Sequence, residues 1–335
     1  MNGAHVAPLK RPRAAWVGRV IAACAFVLGL AIYAFPAIDG WLAQQRSLEQ
    51  IQAAGVPVAQ GDVDGAAGAD AFRSKDDPAY AAWLGYNNQV AGGELSSAQD
   101  PWGHDQAGGL FGLSEDGVVG SVSVPALGEV LPLYAGATFD HLYGGAAVIA
   151  GTSLPLGREG DNCAIAAHRG GYRGMAMLRD IETLAAGDEV VVTTPWERLV
   201  YRVAETRVIA PDDFAAVAPQ PGRDLVTLVT CHPYGSNAQR YVVYCERDLS
   251  ADSTGSGSAA ASGPAAGESA TGSALSPEPV TLVEALLRPI LSVFEPCDSP
   301  ALIVERWLRV AGLALALVVP LALVAPRSSR VHGKK

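Results

Sequence analysis

The sequence has few charged residues and no excess of basic ones. Charged residues make up 17% of its 335 positions, below the roughly 25% of an average soluble protein. Lys and Arg number 24 against 34 Asp and Glu, so the formal net charge is −10. Nucleic-acid binding needs a basic face that releases counterions from phosphates, and this balance therefore argues against nucleic acid as a partner. The low share of charged residues together with a positive mean hydropathy indicates that part of the chain lies in lipid.

Cysteine is scarce, and its spacing fits no metal site. The sequence has neither a C-x-x-C pair nor a Cys/His spacing typical of zinc ligands, and we expect no metal and no cofactor. The five cysteines are Cys24, Cys163, Cys231, Cys245 and Cys297. Outside the cell, where disulfides are permitted, an odd count leaves one thiol unpaired. A cysteine with a chemical role would account for it.

Acidic residues are missing from both ends of the chain. No Asp or Glu precedes Asp39 or follows Glu305, whereas both ends carry Lys and Arg. Two runs without charge, 20–38 and 310–326, separate these basic ends from the acidic middle. A membrane-spanning helix needs about 20 apolar residues, so the first run is long enough. The second run reaches a similar length when it starts at Trp307.

Basic flanks favour the cytoplasmic side of a membrane, and they predict the topology. We expect a cell-membrane protein with two spans, its acidic middle outside the cell and both termini in the cytoplasm. The segments are a cytoplasmic N-terminus (1–19), a first span (20–38), a second span (307–326) and a cytoplasmic basic tail (327–335). A cleaved signal peptide is the alternative for the first run. Arg306 and Arg309, on the outer flank of the second span, do not fit the charge rule.

The composition changes three times between the spans. Residues 39–117 contain two helical segments, Trp41–Ala54 and Pro78–Ala91, and then a long Gly-rich loop. Residues 118–248 are rich in β-forming residues. Residues 249–279 are mainly Ser, Gly and Ala, too poor in large apolar groups to fold, and form a linker. Residues 280–306 are a membrane-proximal segment with an apolar beginning.

The β-rich segment predicts a barrel or a sandwich. It contains short runs of Val, Tyr and Thr that are interrupted by Gly, Pro and Asp, a pattern typical of an all-β domain. The predicted strands are Val118–Val124, Val130–Tyr134, Cys163–Ala167, Glu189–Thr194, Leu199–Val208, Leu225–Cys231 and Arg240–Glu246. We expect one helix, Met175–Leu184, to interrupt them.

Three residues at predicted strand ends carry the chemistry of a thiol enzyme. Cys231 ends a strand beside a loop, where a thiol is exposed enough to act as a nucleophile. Arg240 opens the next strand and offers a permanent charge with a fork of donors for an oxyanion. His168 ends another strand and is suited to acid–base catalysis. His232 is a second candidate partner, but adjacent residues of an extended chain face opposite sides. The alternative is a buried structural cysteine.

The residues around Cys231 resemble the signature of the sortases, in their class C, pilin-polymerising form. The resemblance rests on an ordered set of motifs: Tyr86-Asn87, Gly151-Thr-Ser-Leu-Pro155, Ala167-His168-Arg169-Gly170, Gly187-Asp188, Pro211-Asp-Asp213, and Thr227-Leu-Val-Thr-Cys231 with Pro233-Tyr234-Gly235, Asn237 and Arg240. It implies an eight-stranded β-barrel with short helices, here flanked by two transmembrane helices. It also implies a membrane-anchored cysteine transpeptidase of a Gram-positive bacterium.

The resemblance assigns roles and partners. Cys231 looks like the nucleophile, His168 like the general acid or base, and Arg240 like the group that steadies oxyanion and substrate. The implied partners are an LPXTG-like sorting signal, cleaved through a thioacyl intermediate, and a lysine-bearing acceptor pilin. Asp100-Pro101-Trp102 is similar to the lid that covers the empty site in class C members.

The sequence also departs from the class C pattern. His232 and Gln239 stand where these enzymes usually have Thr and His. Cys163 and Cys245 lie on separate predicted strands, either as two buried thiols or as a disulfide. The open alternatives for function are a housekeeping sortase that anchors surface proteins to the cell wall, a hydrolytic cysteine peptidase, and a non-catalytic surface β-domain.

Overall fold

The computed structural model describes residues 13–57, 72–94, 117–170, 176–252, 281–291 and 300–324. In these ranges the helices are α1 (Arg13–Ala53), α2 (Pro78–Ala91), α3 (Phe139–Gly144), α4 (Leu249–Asp252), α5 (Leu282–Leu291) and α6 (Pro300–Val324). The strands are β1 (Val118–Val124), β2 (Glu129–Ala135), β3 (Ala146–Val148), β4 (Asn162–Ala166), β5 (Glu189–Thr193), β6 (Arg198–Ile209), β7 (Leu225–His232) and β8 (Gln239–Arg247). The predicted lid, Asp100, Pro101 and Trp102, lies outside the described residues.

The eight strands of the described ranges close into one barrel, in the order β1-β2-β3-β4-β7-β8-β6-β5. The β2–β3 and β4–β7 pairs are parallel, and the other pairs are antiparallel. The expected eight-stranded barrel is therefore confirmed. Seven strands coincide with the predicted runs of Val, Tyr and Thr. The eighth, β3, has three residues and is too short for its alternation to stand out in the sequence.

Alternating side chains divide the barrel wall into an interior and an outer layer. On β4, Cys163 and Ile165 belong to the interior core, whereas Ala164 and Ala166 belong to a second cluster outside it. The same alternation holds on β7 and β8, where the outer layer contains Val229, Val242 and Tyr244. The end of α1 covers this outer layer with the fully buried Ile51. The two faces of the sheet are thus distinguished residue by residue.

The two predicted helices before the barrel are present and pack against it. Gly55 follows α1 with a φ of 71°, a left-handed conformation that favours glycine and ends the helix. Near this end, the Gln44 side-chain amide donates to the Val130 carbonyl at 2.8 Å and accepts from its N–H. Helix α2 begins at Pro78, capped by the Asp77 carboxylate, which accepts from the Ala79 N–H.

The predicted helix Met175–Leu184 is wrong over its described part. Residues 176–184 form turns, with a single 3-10 turn at Ile181–Thr183. The backbone groups that a helix would use have other partners: the Leu178 N–H donates to the His168 carbonyl, and the Arg179 carbonyl accepts from Arg169 Nε. Tertiary contacts therefore override the local preference for a helix.

Cys163 and Cys245 are two buried free thiols. Cys163 is paired in register with Val226 on one side of β7, and Cys245 is paired with the same residue on the other side. Because neighbouring strands lie about 4.8 Å apart, their Cα atoms are roughly 10 Å apart, beyond the roughly 7 Å limit for a disulfide. Burial raises the pKa of both thiols, so they stay protonated and inert.

One helix segment in the described ranges, Trp16–Ala53, is long and apolar enough to cross a membrane. The second predicted span falls largely on α6. Whether α6 crosses a membrane stays a prediction.

Candidate active site

Cys231 and Arg240 lie directly opposite each other on the β7–β8 ladder. The two residues are register partners at the open end of this antiparallel pair, where opposing Cα atoms are about 4.5–5.5 Å apart. Pro233 and Gly235 turn the chain between the two strands, and Gly235 has a φ of 79°. The short turn therefore brings together two residues that are nine positions apart in the sequence.

His168 lies on the other side of Cys231. Strand β4 runs parallel to β7, with Ala166 in register with Val229. The ladder continues one residue further, because the Ala167 N–H donates to the Val229 carbonyl at 3.1 Å and Thr230 Oγ1 donates to the Ala167 carbonyl at 2.7 Å. The next residue of the β4 chain is His168, level with Cys231. Histidine, cysteine and arginine thus follow one another across three neighbouring strands.

All three side chains belong to the same face of the sheet. Side chains two positions apart on a strand point to the same face. His168 is two positions from Ala166, Cys231 is two from Val229, and Arg240 is two from Val242. Ala166, Val229 and Val242 all belong to the outer layer. The thiol, the imidazole and the guanidinium therefore project from the outer surface at one end of the barrel. We call these three residues the strand-end row.

The strand-end row is half-buried, which leaves the thiol open to a substrate. The His168 ring lies 5.7 Å from the ring of Tyr143 on α3. Burial lowers the pKa of His168 from its ordinary 6.5, so the neutral imidazole predominates at neutral pH. Arg240 Nη1 donates to the carbonyls of Asn237 and Gln239, both at 2.9 Å. These bonds orient a permanent positive charge next to Cys231.

This arrangement can perform acyl transfer. A thiol supplies the nucleophile, a neutral imidazole can take up and return its proton, and a fixed guanidinium can stabilise an oxyanion. Within the described ranges, no three His, Cys, Asp or Glu side chains lie close enough together to hold a metal ion.

A second set of residues lies behind this row: Arg169 and Glu182 were not assigned a role from the sequence, and His232 was considered only as a second candidate partner of Cys231. His232 faces the opposite side of β7 from Cys231, where its ring lies 5.7 Å from that of Tyr241. There it meets Arg169 and Glu182, whose side chains form a buried ion pair with an N–O distance of 2.7 Å. Only the position of Arg169, directly after His168, could have drawn attention to it.

The barrel is similar to known enzymes along most of its length. Residues 122–248 match the family described as the Sortase domain. Sortase A of Bacillus anthracis is 26% identical over 224 residues, which cover 67% of this chain and 91% of the relative. Residues 122–248 therefore carry a Sortase domain, and the homologues of this domain are cysteine transpeptidases.

Solved sortase structures also resemble the chain. Sortase C1 of Streptococcus agalactiae is 29% identical, with a TM-score of 0.47, over 51% of this chain and 88% of that one. Sortase C of Clostridium perfringens, solved with the C-terminal cell wall sorting motif, is 29% identical, with a TM-score of 0.46, over 54% of this chain and 93% of that one.

Proposed function

We propose that this chain is a class C sortase: a membrane-anchored transpeptidase that cleaves LPXTG-like sorting signals and joins pilin subunits through isopeptide bonds. The observation that carries the proposal is the strand-end row, in which a half-buried thiol lies between an imidazole and a guanidinium. The ordered class C motifs of the sequence support the pilin-polymerising form of the activity.

In the first half-reaction, the Cys231 sulfur attacks the backbone carbonyl carbon of the Thr residue in the sorting signal. His168 is neutral at rest and accepts the thiol proton, and Arg240 stabilises the oxyanion that forms. The peptide C–N bond then breaks, and His168 returns the proton to the departing amine. The product is a thioester between the pilin and Cys231.

In the second half-reaction, the ε-amine of a lysine on the next pilin subunit attacks the thioester. The C–S bond breaks, an isopeptide bond forms, and the proton that the amine loses passes through His168 to the departing sulfur of Cys231, which restores the thiol and the neutral imidazole. The region between the predicted spans carries all 34 acidic residues and 15 of the 24 basic ones. This negative charge favours the approach of a lysine, in a salt-dependent way.

Anchoring in the membrane by two spans would hold the enzyme where membrane-retained substrates arrive, which raises the effective concentration of the sorting signal. Asp100-Pro101-Trp102 would cover the empty site: the carboxylate can pair with Arg240, and the indole can shield the thiol from water.

The alternative of cell-wall anchoring shares the first half-reaction and differs in the amine that resolves the thioester. We would incubate the full chain in detergent with an LPXTG-type peptide and identify products by intact-mass spectrometry. A thioacyl adduct should form on the wild type and on Cys24→Ala, whose cysteine lies in α1, but not on Cys231→Ala. A missing wild-type adduct would contradict the enzyme proposal.

The identity of the amine that resolves the thioester distinguishes the two sortase activities. A lysine-containing pilin peptide should resolve the adduct faster than a cell-wall precursor amine or water. Faster release by the precursor amine would assign the chain to cell-wall anchoring, and release by water alone would assign it to hydrolysis.

A further inference from the structure

Three polar side chains form a compact cluster on the side of β7 opposite the Cys231 side chain. In this Arg169 cluster (Arg169, Glu182 and His232), Arg169 Nη2 lies 2.7 Å from Glu182 Oε1 and Nη1 lies 3.2 Å from His232 Nδ1. His232 Nδ1 is also 3.1 Å from Glu182 Oε1. The side chains of Arg169 and Glu182 are only 2% and 5% exposed, so this ion pair is removed from solvent.

Arg169 connects the two segments that carry the thiol and the imidazole. Its Nη1 donates to the carbonyl of Cys231 at 3.4 Å, and its Nε donates to the carbonyl of Arg179 at 3.2 Å. Because Arg169 directly follows His168 in the chain, one guanidinium fixes the His168 segment relative to the backbone of Cys231. Glu182 pairs with the same guanidinium through Nη2.

Stability alone is a poor explanation for such a cluster. The desolvation of a buried ion pair offsets most of its attraction, and apolar replacements of similar volume are often as stable. A rigid, directional fork of donors is instead suited to holding backbone groups in one geometry. Reacting groups need such precision, since a displacement of about 1 Å can lower a rate about 100-fold.

We propose that Arg169 is a positioning residue for transpeptidation, held in place by Glu182 and His232, and that it sets the distance between the Cys231 thiol and the His168 imidazole. The inference rests on the function proposed for Cys231. It also gives a structural role to His232, one of the two departures from the class C pattern: the side chain completes the cluster instead of approaching the thiol.

The test compares Arg169→Lys with Glu182→Gln in the full chain. Lysine keeps the charge of Arg169 but loses the fork, so the kcat for thioacyl formation should fall about 100-fold, while KM changes less than about threefold. Glu182→Gln keeps the shape of the side chain and should lower kcat about tenfold. The matched control is Arg198→Lys, in an exposed ion pair with Glu189, which should retain the wild-type kcat.

Thermal unfolding of each variant identifies those that fold, and alkylation of Cys231 by a small neutral reagent should stay within a few-fold of the wild-type rate. A loss of kcat with an accessible thiol is what mispositioned groups produce. A folded Arg169→Lys or Glu182→Gln with the wild-type kcat, or with a loss confined to KM, overturns the inference. If Arg169→Lys does not fold, the kcat of Glu182→Gln decides. A wild type that forms no thioacyl adduct overturns the proposed function itself.

Discussion

The fold lowers the pKa of His168, a change that the sequence alone does not predict. Burial beside Tyr143 lowers its pKa below the ordinary 6.5. We therefore expect the imidazole to titrate with a midpoint below 6.5, and the acidic limb of the kcat/KM profile to lie below this value as well. Nuclear magnetic resonance of labelled histidine measures the midpoint, with His168→Gln to assign the signal. A midpoint at or above 6.5 would contradict the neutral resting imidazole.

Because of this lowered pKa, the protonation of His168 makes the stability of the folded protein depend on pH. Below pH 6.5 the unfolded chain binds more protons at this residue than the folded chain does, so the stability of the protein decreases as the pH falls through this window. The His168→Gln variant lacks this contribution, and its unfolding free energy should decrease less than that of the wild type between pH 7 and pH 5. Chemical denaturation at the two pH values measures the difference.

Asp224 is a half-buried carboxyl outside the strand-end row. Burial is the largest cause that raises its pKa, to about 6, although the Tyr201 hydroxyl donates to it at 3.0 Å. Since the folded pKa exceeds the unfolded one, this residue makes the protein less stable as the pH rises from about 4 to about 6. Asp224→Asn should therefore raise the unfolding free energy by about 1–2 kcal/mol at pH 7, with almost no gain at pH 4.

The control for Asp224 is Asp212→Asn, an exposed loop carboxyl. Its unfolding free energy should change by less than about 0.5 kcal/mol at both pH values. Equal effects of the Asp224 substitution at pH 4 and pH 7 would show that its charge is not the cause.

The individual site residues differ in how visible they are in the sequence. Cys231 and Arg240 stand on two β-rich runs joined by a short turn, so these patterns predict that the two residues lie near each other. The place of His168 beside them was expected from the family resemblance, since no local pattern predicts that β4 pairs with β7. Glu182 follows Arg169 by 13 positions and precedes His232 by 50, with a turn in between that was predicted as a helix. No local pattern encodes such a contact, and the cluster is visible only in the fold.

At the scale of elements, α2 supports the loop that leads into β4. Its fully buried Asn87 donates to the Leu154 carbonyl at 2.9 Å and to Asp161 at 2.8 Å, and accepts from the Leu154 N–H. Asn87→Ala leaves these buried groups without their partner, so we expect a loss of about 2–4 kcal/mol of unfolding free energy. Denaturant unfolding measures it.

The neighbouring Asn88→Ala is the matched control, because Asn88 is exposed and accepts one bond, from Arg158. It should cost less than about 1 kcal/mol. Equal losses for the two variants would mean that the effect comes from helix propensity rather than from the buried bonds.

Elements differ in predictability for a physical reason. Strand β1 and helix α2 have the predicted bounds, since each has a clear pattern with a Gly or Pro boundary. Strand β3 depends on its neighbours β2 and β4 for its existence, and three residues carry no periodicity of their own. The incorrect helix at 175–184 contains good helix formers, whose preference is weaker than the tertiary bonds that the segment makes.

At the scale of the whole molecule, α6 contacts both the barrel and α1. A side chain at Gly29 of α1 would collide with Ala316 of α6, so the two helices approach closely where both residues are small. Nearer the barrel, Arg306 of α6 lies 2.7 Å from Asp180, and the Tyr234 hydroxyl donates to Glu305 at 3.1 Å. The two arginines that did not fit the charge rule thus have acidic neighbours, since Arg309 pairs with Glu305.

These contacts link the start of α6 to the two segments that flank the strand-end row. Asp180 belongs to the turn that follows His168, and Tyr234 belongs to the turn that follows Cys231. The Arg306 and Asp180 side chains are 8% and 12% exposed, so removal of Arg306 leaves the Asp180 charge largely buried without this partner. Arg306→Ala should therefore loosen both turns, by about 1–2 kcal/mol. Hydrogen exchange of the amides at 176–184 and 234–238 should accelerate about tenfold, whereas Arg207→Ala, at an exposed pair, should leave both segments unchanged. Unaltered exchange in the Arg306 variant would mean that α6 lies against the barrel without stabilising the site, and that the barrel alone holds the catalytic segments in place.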